Sequence, residues 1–220
     1  MVVALIAVVI TSGCASLAMR SARVVEPGEV EVLVTPQVRA GFAIGERVAP
    51  QSVMPWAEAS IRWGLFQDVD VQLRLDPLLS PELSFGWQLI GDPRRENDVA
   101  LTLTSGARLQ PSLAGLQALP ALSAPFQLLA DVPFTECLSL TGGVRVLAGI
   151  PLEGIGSAFV LAPGAVVGLR LTIADSFIIH PEVALSTIHG FAGDDVKITG
   201  FFAVATFGLN LGGTFDLRSK

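Results

Sequence analysis

The residues best suited to chemistry in this chain form a short polar series in its last third. His180 and Glu182 are two positions apart, and Ser186 follows on the same parity. In an extended strand these side chains share one face. A base, an acid and a hydroxyl on one face could serve acyl transfer, with serine as nucleophile and histidine as base. No nucleophile-elbow sequence surrounds them, so we favour a structural His–Glu pair.

Other polar residues give weaker signals. His189 and the acidic pair Asp194–Asp195 fall in a segment that we predict to be an exposed loop. A calcium site would need more oxygen ligands at defined spacing. The two cysteines, Cys14 and Cys137, join no Cys/His cluster with metal-ligand spacing, and we interpret Cys137 as a small packed residue. The sequence therefore predicts no metal and no cofactor.

The N-terminus has the pattern of an export signal. A short apolar run over residues 2–10 is followed by Thr-Ser-Gly and then Cys14. The run is too short to span a bilayer as a helix. The pattern resembles the lipobox of bacterial lipoproteins, which implies a signal peptide at 1–13, cleavage before Cys14 and acylation of that residue. The alternative is an ordinary signal peptide that is cut after Ala15 or Ala18.

Composition restricts the class of protein. The chain is 51% hydrophobic with a mean hydropathy of +0.60, which is high for a soluble β domain, yet no apolar run is long enough for a transmembrane helix. Lys197 and Lys220 are the only lysines and tyrosine is absent, whereas soluble sheets usually carry many lysines outside. The net charge of −6 comes without a basic patch, which argues against nucleic acid as a partner.

The dominant pattern from residue 28 onward is strict alternation of apolar and polar residues. Val30, Val32 and Val34 alternate with Glu29 and Glu31, for example, and a period of two indicates β-strands. An even number of strands closes an up-and-down barrel with both chain ends on one side. We therefore predict an all-β, antiparallel up-and-down transmembrane β-barrel domain at 28–220 after a periplasmic linker at 14–27. The ten predicted strands cover about 29–44, 57–65, 68–76, 82–89, 98–108, 124–132, 137–148, 158–173, 176–187 and 198–217.

The predicted connections alternate in length. Most odd-numbered links, such as 45–56 and 188–197, are longer than the even-numbered links, such as 66–67 and 174–175. Outer-membrane barrels combine short periplasmic turns with longer outer loops, so both termini are predicted to be periplasmic. The apolar link at 109–123 could form a surface helix or enter the barrel mouth, and the sequence does not distinguish these.

The polar face of the predicted sheet mixes acids and arginines with small residues. Opposite charges can pair inside a narrow lumen, where an unpaired charge would cost several kcal/mol. Such a charged interior resembles that of OmpA-type small barrels. The predicted lumen charge network consists of Glu31, Arg39, Glu58, Arg62, Asp70, Arg74, Glu82, Asp131, Arg145, Arg170, His180 and Glu182.

Aromatic residues concentrate near predicted strand ends, which is typical of the aromatic girdles of membrane barrels. The predicted outer girdle comprises Trp56, Phe126, Phe159 and Phe201, and the periplasmic girdle Trp63, Phe66, Phe134, Phe177 and Phe215.

These patterns favour a non-enzymatic barrel of the bacterial outer membrane, either structural or a narrow pore, with membrane lipids as partners and a small solute as a further candidate. Two alternatives remain open. One is an outer-membrane lipid-modifying hydrolase that uses His180 or His189, as lipid A deacylases and phospholipases do with comparable residue types. The other is a soluble, lipocalin-like periplasmic lipoprotein that binds an apolar ligand, in which the two sheet faces are reversed.

Overall fold

A computed structural model describes residues 17–43, 49–77, 80–92, 98–110, 121–152, 158–174, 176–192 and 202–218. In these ranges each strand pairs antiparallel with the next, and β1 pairs with β10, so the sheet closes into a barrel. The predicted fold class, an up-and-down barrel of ten strands, is confirmed. The strands are β1 Glu29–Ala43, β2 Ala49–Phe66, β3 Val69–Leu75, β4 Glu82–Ile90, β5 Ala100–Gln110, β6 Ala121–Thr135, β7 Leu138–Pro151, β8 Ala158–Ile173, β9 Phe177–Ala192 and β10 Phe202–Asp216.

Alternation of residue type determines which side chains enter the barrel. In β4, Glu82 and Ser84 are buried in the lumen, while Leu83 and Phe85 between them are exposed on the outside. Successive side chains of a strand point to opposite faces, and closure turns one face inward along every strand. Within the described ranges we find no helix with the length and hydropathy that a bilayer-spanning helix needs.

Several strands extend further than the alternation predicted. β2 begins at Ala49, inside the predicted loop at 45–56, because its ladder with β1 continues to the Ala43–Ala49 pair. β9 continues to Ala192, so the prediction of a loop around His189 was wrong. The His189 ring lies on this strand with Nε2 3.2 Å from Thr187 Oγ1. Backbone pairing with a neighbouring strand sustains these extensions where side-chain alternation fades. Residues 111–120, Asp194 and Asp195 lie outside the described residues.

The two ends of the barrel differ in their connections. At one end, called the turn end, β1 begins and β10 ends, and short links at 67–68, 136–137 and 174–176 join the strands. A longer link at 91–99 is also at this end. The opposite end, called the loop end, carries the links at 44–48, 76–81, 111–120, 152–157 and 193–201.

The chain before β1 lies inside the barrel. Pro27 and Gly28 form a tight turn in which Glu29 N donates to Glu26 O at 3.0 Å. The φ of Gly28 is +86°, as the third residue of a type II turn requires, and proline favours the second position. The turn reverses the chain, so residues 17–27, called the inner segment, lie next to the lumen wall instead of continuing away from β1. The described part of the predicted 14–27 linker is therefore largely buried in the lumen.

Candidate functional site in the barrel lumen

Four barrel residues and one inner-segment residue form a buried ion-pair cluster nearer the turn end, called the turn-side cluster. Arg62 donates to Glu31 at 2.6 Å and to Asp70 at 2.6 Å. Asp70 also accepts from Arg20 of the inner segment at 2.9 Å, and Glu31 accepts from Arg170 at 2.9 Å. Each carboxylate therefore faces two guanidinium groups, which offsets the cost of burial.

A second cluster lies nearer the loop end and is called the loop-side cluster. Glu58 accepts hydrogen bonds from Arg39 and from Arg74, whose Nε is 2.7 Å away. Glu82 lies 3.8 Å from Arg74 and 3.7 Å from Arg108. The side chains come from β1, β2, β3, β4 and β5, so this wall of the lumen carries alternating charge. Long side chains that are paired in this way occupy the cross-section on their side of the barrel.

Three residues of this region were not predicted to belong to it, namely Arg108, Asp76 and Trp56. Asp76 accepts from Arg108 at 2.5 Å, just beyond the end of β3. Trp56 was predicted for the outer girdle, but its ring lies 4.7 Å from the Arg39 guanidinium in a cation–π contact inside the barrel. That prediction was wrong because Trp56 has the same parity as the inward-facing Glu58. The parity was visible in the sequence, and the predicted start of β2 at residue 57 hid it.

The histidine that could have supported catalysis is not arranged as a base for a nucleophile. His180 Nδ1 lies 3.4 Å from Glu182 Oε1, but neither ring nitrogen has a hydrogen-bond partner. The Ser186 hydroxyl also has none, so the nucleophile–base hydrogen bond of acyl transfer is not formed. The other oxygen of Glu182 accepts the backbone N–H of Met19 at 3.2 Å. Glu182 therefore holds the inner segment, and His180 and Ser186 are buried in the lumen wall.

The remaining predicted network residues are distributed over the other wall. Asp131 on β6 accepts the backbone N–H of Ala22 at 2.9 Å, and Arg145 is buried on β7. The twelve predicted residues thus fall into the turn-side cluster, the loop-side cluster, the His180–Glu182 pair, and two separate positions. In the described part of the chain no three His, Cys, Asp or Glu residues are arranged to hold a metal ion.

The contacts that hold the inner segment were missed from the sequence. Its backbone groups bond to side chains from several strands. The charged ones belong to the predicted lumen network, whereas Gln72, Gln88 and Thr102 carry uncharged amides or hydroxyls that composition does not single out. The Pro27–Gly28 turn was the available signal that the chain reverses there. The further contacts are Val24 N to Gln88 Oε1 at 3.0 Å, Val25 N to Asp70 Oδ2 at 3.2 Å, Gln72 Nε2 to Met19 O at 3.2 Å, Arg62 Nη2 to Arg23 O at 2.6 Å, and Thr102 Oγ1 to Ala22 O.

A cavity of about 310 Å³ opens beside the inner segment at the turn end. Arg23, Glu26 and Arg170 are among its lining residues, so its wall carries both signs of charge. Cys137 also lines it and is exposed, with Sγ 3.5 Å from Thr135 Oγ1. The prediction that Cys137 is packed was wrong, because the residue falls in the tight β6–β7 turn.

The outer face of the barrel is apolar. Large exposed side chains such as Val34, Leu128, Val167 and Leu185 cover it. Along the described strands no outward-facing position holds Asp, Glu, Lys or Arg. The exposed charges lie at the turn end, for example Asp68 and Glu136 in turns and Asp216 at the end of β10. Four aromatic side chains of the predicted periplasmic girdle are exposed at the turn end, namely Phe66, Phe134, Phe177 and Phe215. Phe201 of the predicted outer girdle lies outside the described residues.

The sequence matches no protein-family profile, and no curated protein is significantly similar. Solved structures resemble the chain at low identity. Ail, the attachment invasion locus protein of Yersinia pestis, shares 11% identity, with 86% of this chain and 100% of that chain covered and a TM-score of 0.39. The outer membrane protease OmpT of Escherichia coli shares 9% identity, with 85% of this chain and 95% of that chain covered and a TM-score of 0.40. The outer membrane protein OprG of Pseudomonas aeruginosa shares 10% identity, with 89% of this chain and 97% of that chain covered and a TM-score of 0.35.

At these identities and TM-scores the likeness does not bear on activity. The assignment of the fold rests on the strand pairing, which closes between β1 and β10 independently of any relative.

Proposed function

We propose that this protein is a non-enzymatic β-barrel of the bacterial outer membrane with a structural role, and that its lumen is closed at rest by its own side chains and the inner segment. The observation that carries the proposal is the outer face, which is apolar and uncharged along every described strand.

The outer face has the character of a lipid-contacting surface. Val167 is 49% exposed and Leu185 56% exposed in the middle of their strands, and an apolar surface that surrounds the whole barrel would cause aggregation in water. From Val30 to Val38 the outward face of β1 rises about 20 Å along the barrel axis at the usual strand rise and tilt. That height covers most of the apolar band of outer-membrane barrels, which is about 25 Å tall.

The lumen supports a closed structure over an open pore. Ten strands enclose a space only slightly wider than the eight-stranded barrels that side chains fill completely. The turn-side and loop-side clusters lie mainly along the wall from β1 to β5. The inner segment fills the space between this wall, where it bonds to Asp70, Gln72 and Gln88, and the wall from β5 to β9. The soluble, lipocalin-like alternative needs apolar side chains inside and charges outside, which is the reverse of the observed burial.

We propose that the turn end faces the periplasm and the loop end faces outward, since short periplasmic turns and longer outer loops are usual. We also retain the proposal that residues 1–13 are an export signal and that Cys14 is acylated. Those residues lie outside the described ranges, and their role is tested separately from the barrel.

The test is to express the full chain in a Gram-negative host and to isolate the outer membranes. We expect the protein to stay with the membranes after washing with alkaline carbonate, to need detergent for extraction, and to change its gel mobility on boiling. A barrel that is released by carbonate and stays in solution without detergent would refute the proposal.

The orientation is tested in the same cells with a membrane-impermeant maleimide. Cys137 is exposed at the turn end, so we expect no labelling of intact cells and strong labelling after osmotic shock. Cys137→Ser is the matched control, because any labelling that remains in it comes from Cys14 and is subtracted. Labelling of Cys137 in intact cells would reverse the proposed orientation.

A further inference from the structure

The inner segment is bound in the lumen in the way that a peptide ligand is bound. Its backbone N–H groups at Met19, Ala22 and Val24 donate to Glu182, Asp131 and Gln88. These acceptors come from β9, β6 and β4, on different sides of the lumen. The backbone groups of a chain without secondary structure are thus satisfied by side chains of the wall, as buried peptide groups require.

The wall has space reserved for this segment. An added Cβ at Gly208 would overlap the side chain of Leu17, and one at Gly86 would overlap the Arg20 guanidinium. Both glycines lie within strands, where glycine weakens the sheet and often marks the close approach of another group. The sequence therefore keeps small residues where the inner segment needs room.

Apolar contacts complete the binding surface. One buried cluster joins residues of the inner segment to small and branched residues on β5, β6, β8 and β9. These positions face inward, where the rest of the lumen is mostly polar, so their apolar character is explained by the segment that covers them. The cluster consists of Leu17, Ala18, Met19, Ala22, Ala100, Leu129, Val166 and Ala184.

We propose that the inner segment is a displaceable plug, and that its withdrawal through the turn end opens a cation-preferring path through the barrel. The inference rests on the proposed function, because it requires a barrel that spans a membrane. The strand ladder closes without the inner segment, so the barrel does not depend on it for closure. The cavity beside Ser21, Arg23 and Val25 at the turn end provides the space through which the segment leaves.

The chemistry of the emptied lumen sets the preference for cations. Withdrawal removes the Arg20 guanidinium and the Val25 N–H from Asp70. It also removes the backbone donors from Asp131 and Glu182. Three carboxylates then lose hydrogen-bond donors while no basic side chain of the barrel is added, so the path becomes more acidic. Small hydrated cations are the solutes that such a path favours.

The experiment compares the full chain with three variants in planar bilayers. Gly208→Leu puts a side chain where Leu17 lies. The double variant Thr102→Val with Asp131→Asn keeps side-chain volumes and weakens two contacts to Ala22, in case Gly208→Leu does not fold. Gly142→Leu is the matched control, since an added Cβ there meets only the Val166 carbonyl oxygen at 3.8 Å. Amide hydrogen exchange at Met19, Ala22 and Val24 reports directly on the position of the segment.

We expect the parent and Gly142→Leu to conduct rarely and to protect these amides. In Gly208→Leu and in the double variant we expect at least a tenfold higher frequency of conductance steps, preference for potassium over chloride, and loss of protection. Lost protection with silent bilayers would overturn the plug, and so would equal conductance in all four proteins. Boiling-dependent gel mobility of the parent separates the membrane-barrel hypothesis from the plug hypothesis. If the parent shows no mobility shift, the membrane barrel is refuted. If the parent shows the shift but gives either of the two contrary bilayer results, only the plug is refuted.

Discussion

At the scale of single residues, Arg62 bridges the two carboxylates of the turn-side cluster, and its loss would leave each of them with one guanidinium partner instead of two. It joins Glu31 to Asp70 and donates to the Arg23 carbonyl of the inner segment. Removing one partner of a buried ion pair costs more stability than the intact pair contributes, because the remaining charge stays buried with less compensation.

We therefore predict that Arg62→Ala lowers the free energy of unfolding by about 3–5 kcal/mol. Urea unfolding in detergent micelles, followed by tryptophan fluorescence, measures the change. Arg218→Ala is the control, since Arg218 pairs with Asp216 and Glu29 on the surface, and surface ion pairs contribute little. Similar effects of the two substitutions would contradict this interpretation of the turn-side cluster.

At the level of elements, the inner segment depends on one turn. Gly28 has a φ of +86°, which side chains with a Cβ rarely adopt, and an added Cβ would lie 2.7 Å from Arg218 Cγ. The turn directs residues 17–27 into the lumen, so its geometry controls the position of the whole segment.

We predict that Gly28→Val weakens the turn and reduces hydrogen-exchange protection at Met19 and Ala22, while the boiling-dependent mobility shift is retained. A branched residue at positive φ is strained, so the turn opens before the barrel does. Gly142→Val places the same side chain on the outer face and should leave protection unchanged. If Gly28→Val kept full protection, the turn would not be what holds the segment in place.

The same element constrains the proposed lipid. Leu17 contacts the wall at Gly208, which lies about 20 Å along the barrel axis from the end of β10 at the usual rise and tilt. The three residues from Leu17 back to Cys14 span about 11 Å at most. A lipid on Cys14 that is seated in the leaflet near the turn end would therefore require the inner segment to leave the lumen. A lipid of Cys14 seated in that leaflet and an inner segment inside the lumen therefore exclude each other, and the closed resting lumen proposed above belongs to the chain before such a lipid is seated.

For the molecule as a whole, the decisive property is the uncharged outer surface. Val167 lies in the middle of β8 with its side chain 49% exposed, and Phe134 lies beside the β6–β7 turn with its side chain 59% exposed. In a bilayer these two sites differ in depth, although both are exposed to a similar extent.

We predict that Val167→Lys lowers the free energy of unfolding in lipid vesicles by about 2–4 kcal/mol. For Phe134→Lys we expect the charge itself to lower it by about 0–1 kcal/mol. The reason is the desolvation of an ammonium group in hydrocarbon, which diminishes towards the interface. Reversible urea unfolding in vesicles measures both values. Equal and small costs at the two sites would show that this face contacts water.

Much of the architecture followed from the sequence. Alternation along each strand assigned the apolar and polar faces, because successive side chains of a strand must point in opposite directions. The same alternation placed Glu31, Arg62 and Asp70 on one face before any pairing was known.

Only the tertiary structure decided which of these residues meet. Arg62 reaches both carboxylates because the strand register places it between them, and register depends on neighbours that a single strand does not contain. The inner segment is the clearest case. Met19 bonds to Glu182, 163 positions away, and its burial exists only after β10 has paired with β1 and closed the barrel around it. A local pattern determines the face to which a side chain points, whereas the interior that receives a chain is formed by all strands together.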